Sequence, residues 1–321
     1  MRVLSGIQPS GKLHIGNYFG AMQQFVEMQN QDAECFFFIA DYHAMTSVQD
    51  PAQLRANVEE VALGYLAVGI DPEKSVFFPQ SQVPAVTELT WALSCVCPMG
   101  LLQRCVSYKD KVEQGLAPNH GLFYYPVLQA ADIIIYDSDI VPVGQDQKQH
   151  IEVTRDLAIK FNNIYGDVLT VPKASIRENT AVIPGLDGRK MSKSYDNTLE
   201  LFTPQGPTKK KIMRIPTDST PMEDPKDPDA CTVFTLLKLF ADEAEQQHWR
   251  KRYTEGGMGY GEVKKRLFEL SNETLDPFRA RYEELKKDMD YVRDVLNEGG
   301  KKARAAADVV MERVRSAVGL R

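Results

Sequence analysis

Short apolar segments alternate with helical stretches along the N-terminal part of the chain, and this alternation restricts the possible folds more than any other feature. The segment Glu34 to Ala40 is almost continuously apolar, as expected of a strand buried on both faces of a parallel sheet. Arg2 to Gln8, Ser75 to Phe78 and Ile140 to Val143 also have strand-like character, and helical stretches such as Pro51 to Val68 separate them. Parallel strands need crossover connections. The pattern therefore predicts an α/β fold with a doubly wound parallel sheet.

The pattern changes after Ser194. The segment Thr203 to Asp229 holds six of the eighteen prolines, so we predict an irregular connection there with a short basic segment inside it. From Thr232 onward apolar residues recur every three or four positions, which is typical of helices. We therefore place a domain boundary near residue 195, with an α/β domain before it and an α-helical domain after it.

The charge and the apolar runs exclude several classes of protein. A net charge of −6 argues against a protein that coats nucleic acid over its whole surface, because such proteins are usually basic throughout. An acidic protein can still bind a polyanion through a local basic patch. The start of the chain lacks the apolar core of a signal peptide, and runs such as Cys35 to Ala40 are far shorter than a membrane span. We expect a cytosolic protein that does not bind membranes.

The five cysteines are too few and too scattered for a disulfide framework. Cys95 and Cys97 lie one residue apart in an apolar stretch, and no second pair of ligands has a matching spacing. We interpret both as thiols of the hydrophobic core, and we expect no metal bound by protein side chains.

A glycine-rich turn follows the first predicted strand. The segment Gly6 to Asn17 reads Gly-Ile-Gln-Pro-Ser-Gly-Lys-Leu-His-Ile-Gly-Asn, which would deliver His14 and Asn17 to the start of a helix. Backbone N–H groups at a helix start favour phosphate, and Gly16 has no side chain to keep a base or ribose away from the backbone. By pattern alone, the turn is either a nucleotide site or an ordinary strand-to-helix turn.

A second polar segment, Gly188 to Ser194, contains two lysines three positions apart, Lys190 and Lys193. A mobile loop with these residues can close on a polyphosphate and stabilise the charge that grows in a transition state. The alternative is a solvated basic loop, which a lone Lys-x-x-Lys pattern would favour.

The apolar stretch Tyr124 to Ile135 reads as a helix that carries Tyr125, Gln129 and Asp132 on one face. A carboxylate among alanines and isoleucines is costly to bury unless a group donates a hydrogen bond to it. Indole has one donor and no acceptor, so Asp132 could accept the N–H of an indole while Tyr125 packs against the ring. A helix cap or a structural ion pair is the alternative role for Asp132.

Two of these segments together resemble a known class of enzymes. His14 to Asn17 (His-Ile-Gly-Asn) and Lys190 to Ser194 (Lys-Met-Ser-Lys-Ser) are similar to the two signatures of class I aminoacyl-tRNA synthetases. The first signature departs from the usual form, because Asn17 stands where a second histidine is typical. Asparagine can still donate to a ribose or phosphate oxygen.

Further segments resemble the tryptophanyl-tRNA synthetase family in particular. They are Val141 to His150 (Val-Pro-Val-Gly-Gln-Asp-Gln-Lys-Gln-His), Ile7 to Ser10, and Asp41 to Ala44. The resemblance covers nearly the whole chain, as far as the segment Gly299 to Ala303. Tyrosyl-tRNA synthetases share the two class signatures but lack the run that begins at Val141.

The resemblance implies a role for each matching residue. Contacts to ATP are expected from the first turn, at Gln8, Pro9, Ser10, Gly16 and Asn17. The adenosine should be framed by Gly144, Gln145, Asp146 and Ile183. The phosphates should be bound by Lys190, Met191, Ser192, Lys193 and Ser194, with a further charge from Lys111. The expected catalytic residues are His14, Lys111, Lys190 and Lys193. The tryptophan pocket should be lined by His43, Tyr125, Gln129, Asp132, Val141, Val143 and Gln147. Many bacterial members carry methionine in place of Gln129, so a more polar pocket wall is expected.

The resemblance also implies the organisation and the partners. Residues 1–195 should form a Rossmann-like catalytic domain, residues 196–285 an α-helical anticodon-binding domain, and residues 286–321 a segment that returns to the catalytic domain. The implied partners are ATP with Mg²⁺, L-tryptophan, tRNA(Trp) and a second copy of the chain, with no DNA. One subgroup of the family carries a four-cysteine iron–sulfur cluster. Cys231 matches its first ligand, but Thr254, Gly261 and Lys264 occupy the other three positions, so we predict no cluster.

Alternatives remain open at this stage. One is tyrosine ligation by the same mechanism. Another is a nucleotidyltransferase that makes dinucleotide cofactors, which would need neither the lysine loop nor a helical domain, and a pure RNA-binding role would leave both signatures unexplained. The basic run Lys209, Lys210, Lys211 and Arg214 is either a patch for tRNA or a solvated helix face.

Overall fold

The computed structural model describes residues 1–9, 11–105, 119–143, 147–176 and 183–320. Some residues with a predicted role lie outside these ranges, namely Ser10, Lys111, Gly144, Gln145 and Asp146. The side chain of Val143 also lies outside the description.

A parallel sheet forms the centre of the described part of the chain. Its strands are β1 (Arg2–Ile7), β2 (Glu34–Ile39), β3 (Ser75–Pro79), β4 (Ile140–Val143) and β5 (Lys173–Ile176). They lie in the order β3-β2-β1-β4-β5, and every neighbouring pair is parallel. This is the order of a doubly wound, Rossmann-like sheet, so the predicted fold class is confirmed.

Helices connect the strands and make up most of the chain after β5. The first eight in the described ranges are α1 (Ile15–Asn17), α2 (Gln23–Met28), α3 (Asp41–Ala44), α4 (Pro51–Ala67), α5 (Ala85–Val96), α6 (Met99–Gln103), α7 (His120–Ile134) and α8 (Lys148–Tyr165). They are followed by α9 (Gln205–Met213), α10 (Thr232–Leu237), α11 (Glu243–Glu255), α12 (Tyr260–Leu285) and α13 (Met289–Ala317). A π-helical segment (Tyr18–Met22) joins α1 to α2, and short 3₁₀ turns occur at Gln80–Gln82 and Lys193–Tyr195. Across the described ranges, we find no helix with both the length and the apolar character needed to cross a bilayer.

Side chains on the two faces of the sheet belong to two hydrophobic cores. Phe37 of β2 lies in the first core and its neighbour Phe36 lies in the second, and neither is more than 1% exposed. Neighbouring residues of a strand point to opposite faces. Burial on both faces therefore explains why β2 reads as a continuous apolar run in the sequence.

Each core extends from the sheet into helices that come much later in the chain. The first core joins Phe77 of β3 to Phe234 of α10 and Leu267 of α12. The second joins Ile134 of α7 to Val310 of α13. The helices after residue 195 are therefore in direct apolar contact with the α/β part of the chain.

The long helix α13 lies against the edge strand β3 at unusually close range. A Cβ atom at Gly299 would lie 1.9 Å from the carbonyl oxygen of Phe77, and one at Gly300 would lie 1.8 Å from Oε1 of Gln82. Only residues without a side chain permit this backbone approach. Gly299 therefore permits the close packing of α13 on the sheet, whereas Gly300 makes room for the end of the Gln82 side chain.

Two sequence-based interpretations are wrong. The segment Thr203 to Asp229 is not irregular throughout, since α9 begins directly after Pro204 and contains the lysine run. Proline is well tolerated in a first helical turn, and α9 is held in place because Thr208 and Ile212, four positions apart, are both buried.

The interpretation of Cys95 and Cys97 as core thiols is wrong for Cys95. Cys95 is exposed and Cys97 is half-buried. The apolar stretch that contains them is α5, an amphipathic helix whose buried residues are Val86, Leu89, Thr90 and Leu93. Because these residues recur every three or four positions, Cys95 falls outside the buried face, whereas Cys97, one residue after α5, packs against the second core.

Candidate active site

The sheet opens a crevice where its strand order reverses, between β1 and β4. The chain leaves β1 after Ile7 and β4 after Val143 at the same edge of the sheet, because the two strands are parallel. Ligands of open α/β sheets bind at this edge, outside the carboxyl ends of the strands. Two groups of predicted site residues lie along it.

The first group contains both signatures, and backbone pairing brings them together. The N–H of Ile15 donates to the carbonyl of Leu199 at 2.9 Å, and the N–H of Leu201 donates to the carbonyl of Leu13 at 3.0 Å. The chain after the lysine loop is thereby held against the turn after β1. A Cβ at Gly16 would lie 3.4 Å from Sδ of Met191, so the predicted ATP residues of the two segments are neighbours.

His14 is the N-terminal cap residue of α1 and is only 8% exposed. Its backbone N–H donates to Oδ1 of Asn17 at 3.0 Å. Burial, with a smaller effect from the charge of Lys193, lowers the pKa of His14 from 6.5 to about 4, against an opposing effect of Glu200. The imidazole is therefore neutral near pH 7. A Cβ at Gly16 would lie 2.9 Å from its Nδ1, so Gly16 makes room for this ring.

The lysine loop is anchored at its base. Asn197 accepts a hydrogen bond from the N–H of Ser192 at 2.8 Å, and its amide donates to Asp187 at 2.7 Å and to the carbonyl of Lys190 at 3.1 Å. Met191 is buried in the first core. Lys193 is 3.9 Å from the position of a Cβ at Gly11, and burial lowers its pKa while Glu60 acts in the opposite direction. The second loop lysine thus lies beside the first turn.

The second group surrounds Asp132 of α7, whose side chain is almost fully buried. Oδ2 of Asp132 lies 2.7 Å from Nε2 of His43, and Oδ1 accepts a 2.7 Å hydrogen bond from the amide of Gln80. Burial raises the pKa of Asp132, while the hydrogen bonds from His43 and Gln80 act against that rise. Each carboxylate oxygen can accept more than one hydrogen bond, so both oxygens keep acceptor capacity for a ligand.

Other predicted pocket residues contact one another around Asp132. The rings of His43 and Tyr125 are 6.1 Å apart and nearly perpendicular. The amide of Gln129 donates to Oε1 of Gln147 at 3.3 Å. The amide of Gln8 donates to the carbonyl of His43 at 3.3 Å, which connects the end of β1, predicted to contact ATP, with the predicted tryptophan pocket.

The remaining predicted residues are placed as follows. Val141 is buried in β4, where it belongs to the second core. Ile183 is half-buried and packs against the first core, and its carbonyl accepts a hydrogen bond from the N–H of Met191 at 3.0 Å. The hydroxyl groups of Ser192 and Ser194 are hydrogen-bonded to each other at 2.7 Å. Pro9, two residues after the end of β1, is buried.

Sequence reasoning missed two residues of this cluster, Gln80 and His150. Nε2 of His150 lies 2.8 Å from the hydroxyl of Tyr125, although His150 was noted only as the end of the run that carries the family resemblance. Gln80 follows β3 directly. Its place at the carboxyl end of a predicted strand was the one available signal.

The position of the family's iron–sulfur cluster is occupied by other contacts. Sγ of Cys231 lies 3.2 Å from the hydroxyl of Tyr253, and Nζ of Lys264 donates to the carbonyl of Ile215 at 2.7 Å. Within the described ranges, no three histidine, cysteine or acidic residues are grouped so that they could hold a metal. The absence of a cluster stays a prediction.

The basic run on α9 is only partly available to a partner. Lys211 forms an ion pair with Glu200 at 2.8 Å, and Lys209 lies over the ring of Phe268. Lys210 and Arg214 are exposed.

The chain is similar to a well-defined group of proteins. The family model described as class I tRNA synthetases (W and Y) matches residues 1–276. Tryptophan–tRNA ligase of Rhodopirellula baltica is 54% identical over 321 residues, and the match covers 100% of both chains. The same enzyme of Campylobacter jejuni is 51% identical over 320 residues, again with 100% of both chains covered.

Solved structures give the same result. The tryptophanyl-tRNA synthetase of Campylobacter jejuni, complexed with ADP and tryptophan, has a TM-score of 0.93 and 50% identity, covering 99% of this chain and 100% of that one. The enzyme of Mycoplasma pneumoniae has a TM-score of 0.82 and 31% identity, covering 99% of this chain and 97% of that one. With its sheet order, its paired signatures and relatives matched from end to end, the chain belongs to the tryptophan–tRNA ligases of the class I tRNA synthetase family.

Proposed function

We infer that this chain activates L-tryptophan with ATP to give tryptophanyl-AMP and pyrophosphate, and then transfers tryptophan to tRNA(Trp). The observation that carries the inference is the buried carboxylate of Asp132, which is held by His43 and Gln80 in the crevice beside the paired signatures. It agrees with the full-length similarity to tryptophan–tRNA ligases.

Asp132 is the acceptor for the indole N–H of tryptophan in this proposal. A buried carboxylate with unused acceptor capacity favours a ligand that brings a hydrogen-bond donor and no negative charge to it. His43 and Tyr125 lie beside the indole ring, and Gln129, Val141, Val143 and Gln147 complete the pocket. The hydrogen bond between Gln129 and Gln147 gives one wall of this pocket a polar character.

ATP binds across the paired signatures. Its contacts are with Gln8, Pro9, Ser10, Gly16 and Asn17 from the first turn, and its adenosine is framed by Gly144, Gln145, Asp146 and Ile183. The phosphates meet the loop residues Lys190, Met191, Ser192, Lys193 and Ser194, together with Lys111. Mg²⁺ accompanies ATP and would offset phosphate charge. Since the described residues offer no group of three ligands for a metal, phosphate and water oxygens would supply most of its ligands.

The first step needs positioning and positive charge rather than a general base. The tryptophan carboxylate is already ionised at neutral pH, and it attacks the α-phosphorus of ATP as pyrophosphate leaves. Lys190, Lys193 and Lys111 stabilise the charge that develops on the phosphates. His14, neutral because of its lowered pKa, can donate a hydrogen bond to the nucleotide without accepting a proton.

The second step requires tRNA. A ribose hydroxyl at the end of the tRNA, the 2′-hydroxyl in this family, attacks the carbonyl of tryptophanyl-AMP, and AMP leaves. The helical region of residues 196–285 would bind the anticodon, with Lys210 and Arg214 as exposed cations that can meet the phosphate backbone. The catalytic domain comprises residues 1–195 and the returning segment 286–321, and the enzyme acts in the cytosol.

The chain acts as a homodimer in this proposal. Trp91 of α5 is 71% exposed, and Met99 at the start of α6 is 63% exposed. Contiguous exposed apolar patches are typical of protein contact surfaces, and the segment from Trp91 to Met99 is proposed to provide one. A second copy of the chain is the partner proposed for this surface.

Pyrophosphate exchange tests the proposed function directly. Radiolabelled pyrophosphate should enter ATP only when tryptophan is supplied, among all twenty amino acids tested one at a time. Charging of tRNA(Trp) with labelled tryptophan should follow in the same preparation. Exchange that depends on tyrosine instead would assign the other amino acid of this family, and exchange without any amino acid would contradict the proposal.

A further inference from the structure

Gln80 occupies a position that links three parts of the pocket. It begins the 3₁₀ turn after β3, and its side chain is 2% exposed. Its amide nitrogen donates to Oδ1 of Asp132 at 2.7 Å, and its amide oxygen accepts from the backbone N–H of Tyr42 at 3.1 Å. A backbone N–H can only donate, so the contact to Tyr42 fixes which end of the amide faces Asp132.

The next residue of the turn supports the other partner of Asp132. The backbone N–H of Ser81 donates to Oδ1 of Asp41 at 2.9 Å, and its hydroxyl donates to Oδ2 of the same carboxylate. Asp41 is the first residue of α3, the short helix that also carries His43. One turn therefore holds Asp132 directly through Gln80 and, by way of α3, supports the histidine on its other oxygen.

We propose that Gln80 is a specificity-determining positioning residue, which keeps the Asp132 carboxylate oriented and ready to accept the indole N–H. The proposal rests on the proposed function, because it assumes that tryptophan is the ligand of this pocket. Gln80 acts through Asp132 and needs no contact with the substrate.

The charges around Asp132 explain why a neutral donor matters here. Burial and the nearby Asp41 carboxylate raise the pKa of Asp132 and favour its protonated form, whereas His43 favours the ionised form. Burial and the charge of Asp132 together raise the pKa of Tyr136. A protonated Asp132 would carry an O–H that donates, and it would be a weaker acceptor for indole. An amide donor stabilises the ionised form without adding a charge.

Two substitutions separate positioning from a merely structural role. Gln80→Met keeps the approximate volume but removes the donor. Gln80→Glu keeps an oxygen for the N–H of Tyr42 but places a second carboxyl group against Asp132. Two carboxyl groups at hydrogen-bond distance share a proton rather than both ionise, and the protonated pair restores an O–H donor.

The readout is kcat/KM for tryptophan-dependent pyrophosphate exchange from mildly acidic to mildly alkaline pH. Gln80→Met should lower it about tenfold to hundredfold at every pH, the effect of losing one hydrogen bond to a charged group. The loss should appear in KM for tryptophan, with KM for ATP unchanged. Gln80→Glu should recover toward wild-type activity as the pH falls. Gln80→Met should also discriminate less against an analogue in which sulfur replaces the indole N–H.

Gln82→Met is the matched control, because Gln82 is on the same turn and loses the same kind of donor, but its amide donates to Asn297 of α13 rather than to Asp132. It should keep the wild-type pH profile and discrimination. If both Gln80 variants lose activity with unchanged discrimination, pH profile and ratio of KM to kcat, Gln80 is only structural and the inference is wrong. If the variants give those results while wild type activates tryptophan, this inference alone is overturned. If wild type does not activate tryptophan, the proposed function is overturned as well.

Discussion

At the scale of single residues, the pocket is built around a group that opposes folding. Asp132 is 2% exposed, and a carboxylate removed from water is unfavourable unless donors replace the water. Two donors, on His43 and Gln80, meet its two oxygens. A carboxylate buried among apolar side chains in this way is explained by ligand binding rather than by stability.

Replacing Asp132 with asparagine tests this role. The amide is a poorer acceptor than a carboxylate and can present its NH₂ group instead, so kcat/KM for tryptophan activation should fall about tenfold to hundredfold. Wild type should reject the analogue with sulfur in place of the indole N–H, and Asp132→Asn should reject it much less. Asp156→Asn, a substitution at an exposed position of α8, is the control. Equal discrimination by wild type and Asp132→Asn would make Asp132 structural, with Gln147 as the next candidate to contact the indole.

Lys193→Ala should reduce the rate of adenylate formation far more than the affinity for tryptophan. The lysine lies against the first turn, where its charge acts mainly on the phosphates as they react. Loss of one such stabilising contact typically lowers the rate about 10²–10³-fold. Single-turnover kinetics and tryptophan titration separate the two effects. Lys160→Ala, on the exposed side of α8, should match wild type, and a variant with weakened tryptophan binding but normal chemistry would exclude this role for the loop.

His14 should make the stability of the fold depend on pH. Its folded-state pKa of about 4 lies below the ordinary value of 6.5, so between these values the unfolded chain binds the additional proton. Stability therefore falls as the pH drops through this window and is fully retained above it. When the pH is lowered from 7 toward 5, the thermal midpoint of His14→Gln should fall less than that of wild type. The difference should correspond to the proton uptake of about one titrating group. Parallel curves for the two proteins would show that His14 titrates normally.

The residue scale is also where prediction from the sequence reached its limit. Tyr125, Gln129 and Asp132 were placed on one helix face by their spacing, and the family resemblance added His43 and Gln147. The structure pairs His43 with Asp132 and Gln129 with Gln147. Gln80 has no such signal, because a glutamine after a strand is common. Its role arises only when the end of β3, α3 and α7 meet in three dimensions.

At the scale of elements, pattern strength decided what could be predicted. β2 was predicted because both of its faces are buried and its sequence is correspondingly apolar. β5 was missed, since Lys173-Ala-Ser-Ile176 has little strand character and is held by pairing with β4 along its whole length. α9 was missed for a different reason, because prolines around it suggested a loop although they lie at positions that a helix tolerates.

The contact between α13 and β3 predicts a strong effect of a small substitution. In Gly299→Ala, the new Cβ would lie 1.9 Å from the carbonyl oxygen of Phe77 and 2.7 Å from its carbonyl carbon. Because both are backbone atoms of a strand paired within the sheet, the helix must move away, and the free energy of unfolding should fall by about 1–3 kcal/mol or more. Urea denaturation measures this change.

Gly261→Ala is the matched control for that substitution. Gly261 is also helical, but a Cβ there meets nothing within 4 Å. Alanine has the higher helix propensity, so this variant should be unchanged or more stable by up to about 1 kcal/mol. Equal effects of the two substitutions would contradict the close packing of α13 on the sheet.

At the scale of the whole molecule, the two signatures are neighbours although the sequence separates them widely. The chain between them builds most of the sheet, and the segment after the lysine loop then pairs with the turn after β1. The helices beyond residue 195 share the first core with the sheet. The helical region and Met191 of the lysine loop therefore belong to one continuous packed core.

Assembly into a dimer belongs to the same scale and can be tested at the exposed surface of α5. Wild type should have twice the chain mass of 36.1 kDa in light scattering after size exclusion. Trp91→Glu places a charge in an apolar surface that the second copy would bury, and a buried unpaired charge is strongly unfavourable. The variant should therefore elute with the mass of one chain and show reduced exchange activity, because α5 packs against α7, which carries Asp132.

Ile164→Glu is the control for dimer disruption, since Ile164 is 62% exposed at the end of α8 and away from Trp91 in the chain. It should keep the wild-type mass and thermal midpoint. A wild type with the mass of one chain would contradict the proposed dimer outright. A dimer that survives in Trp91→Glu would show instead that the two copies meet at a surface that does not include Trp91.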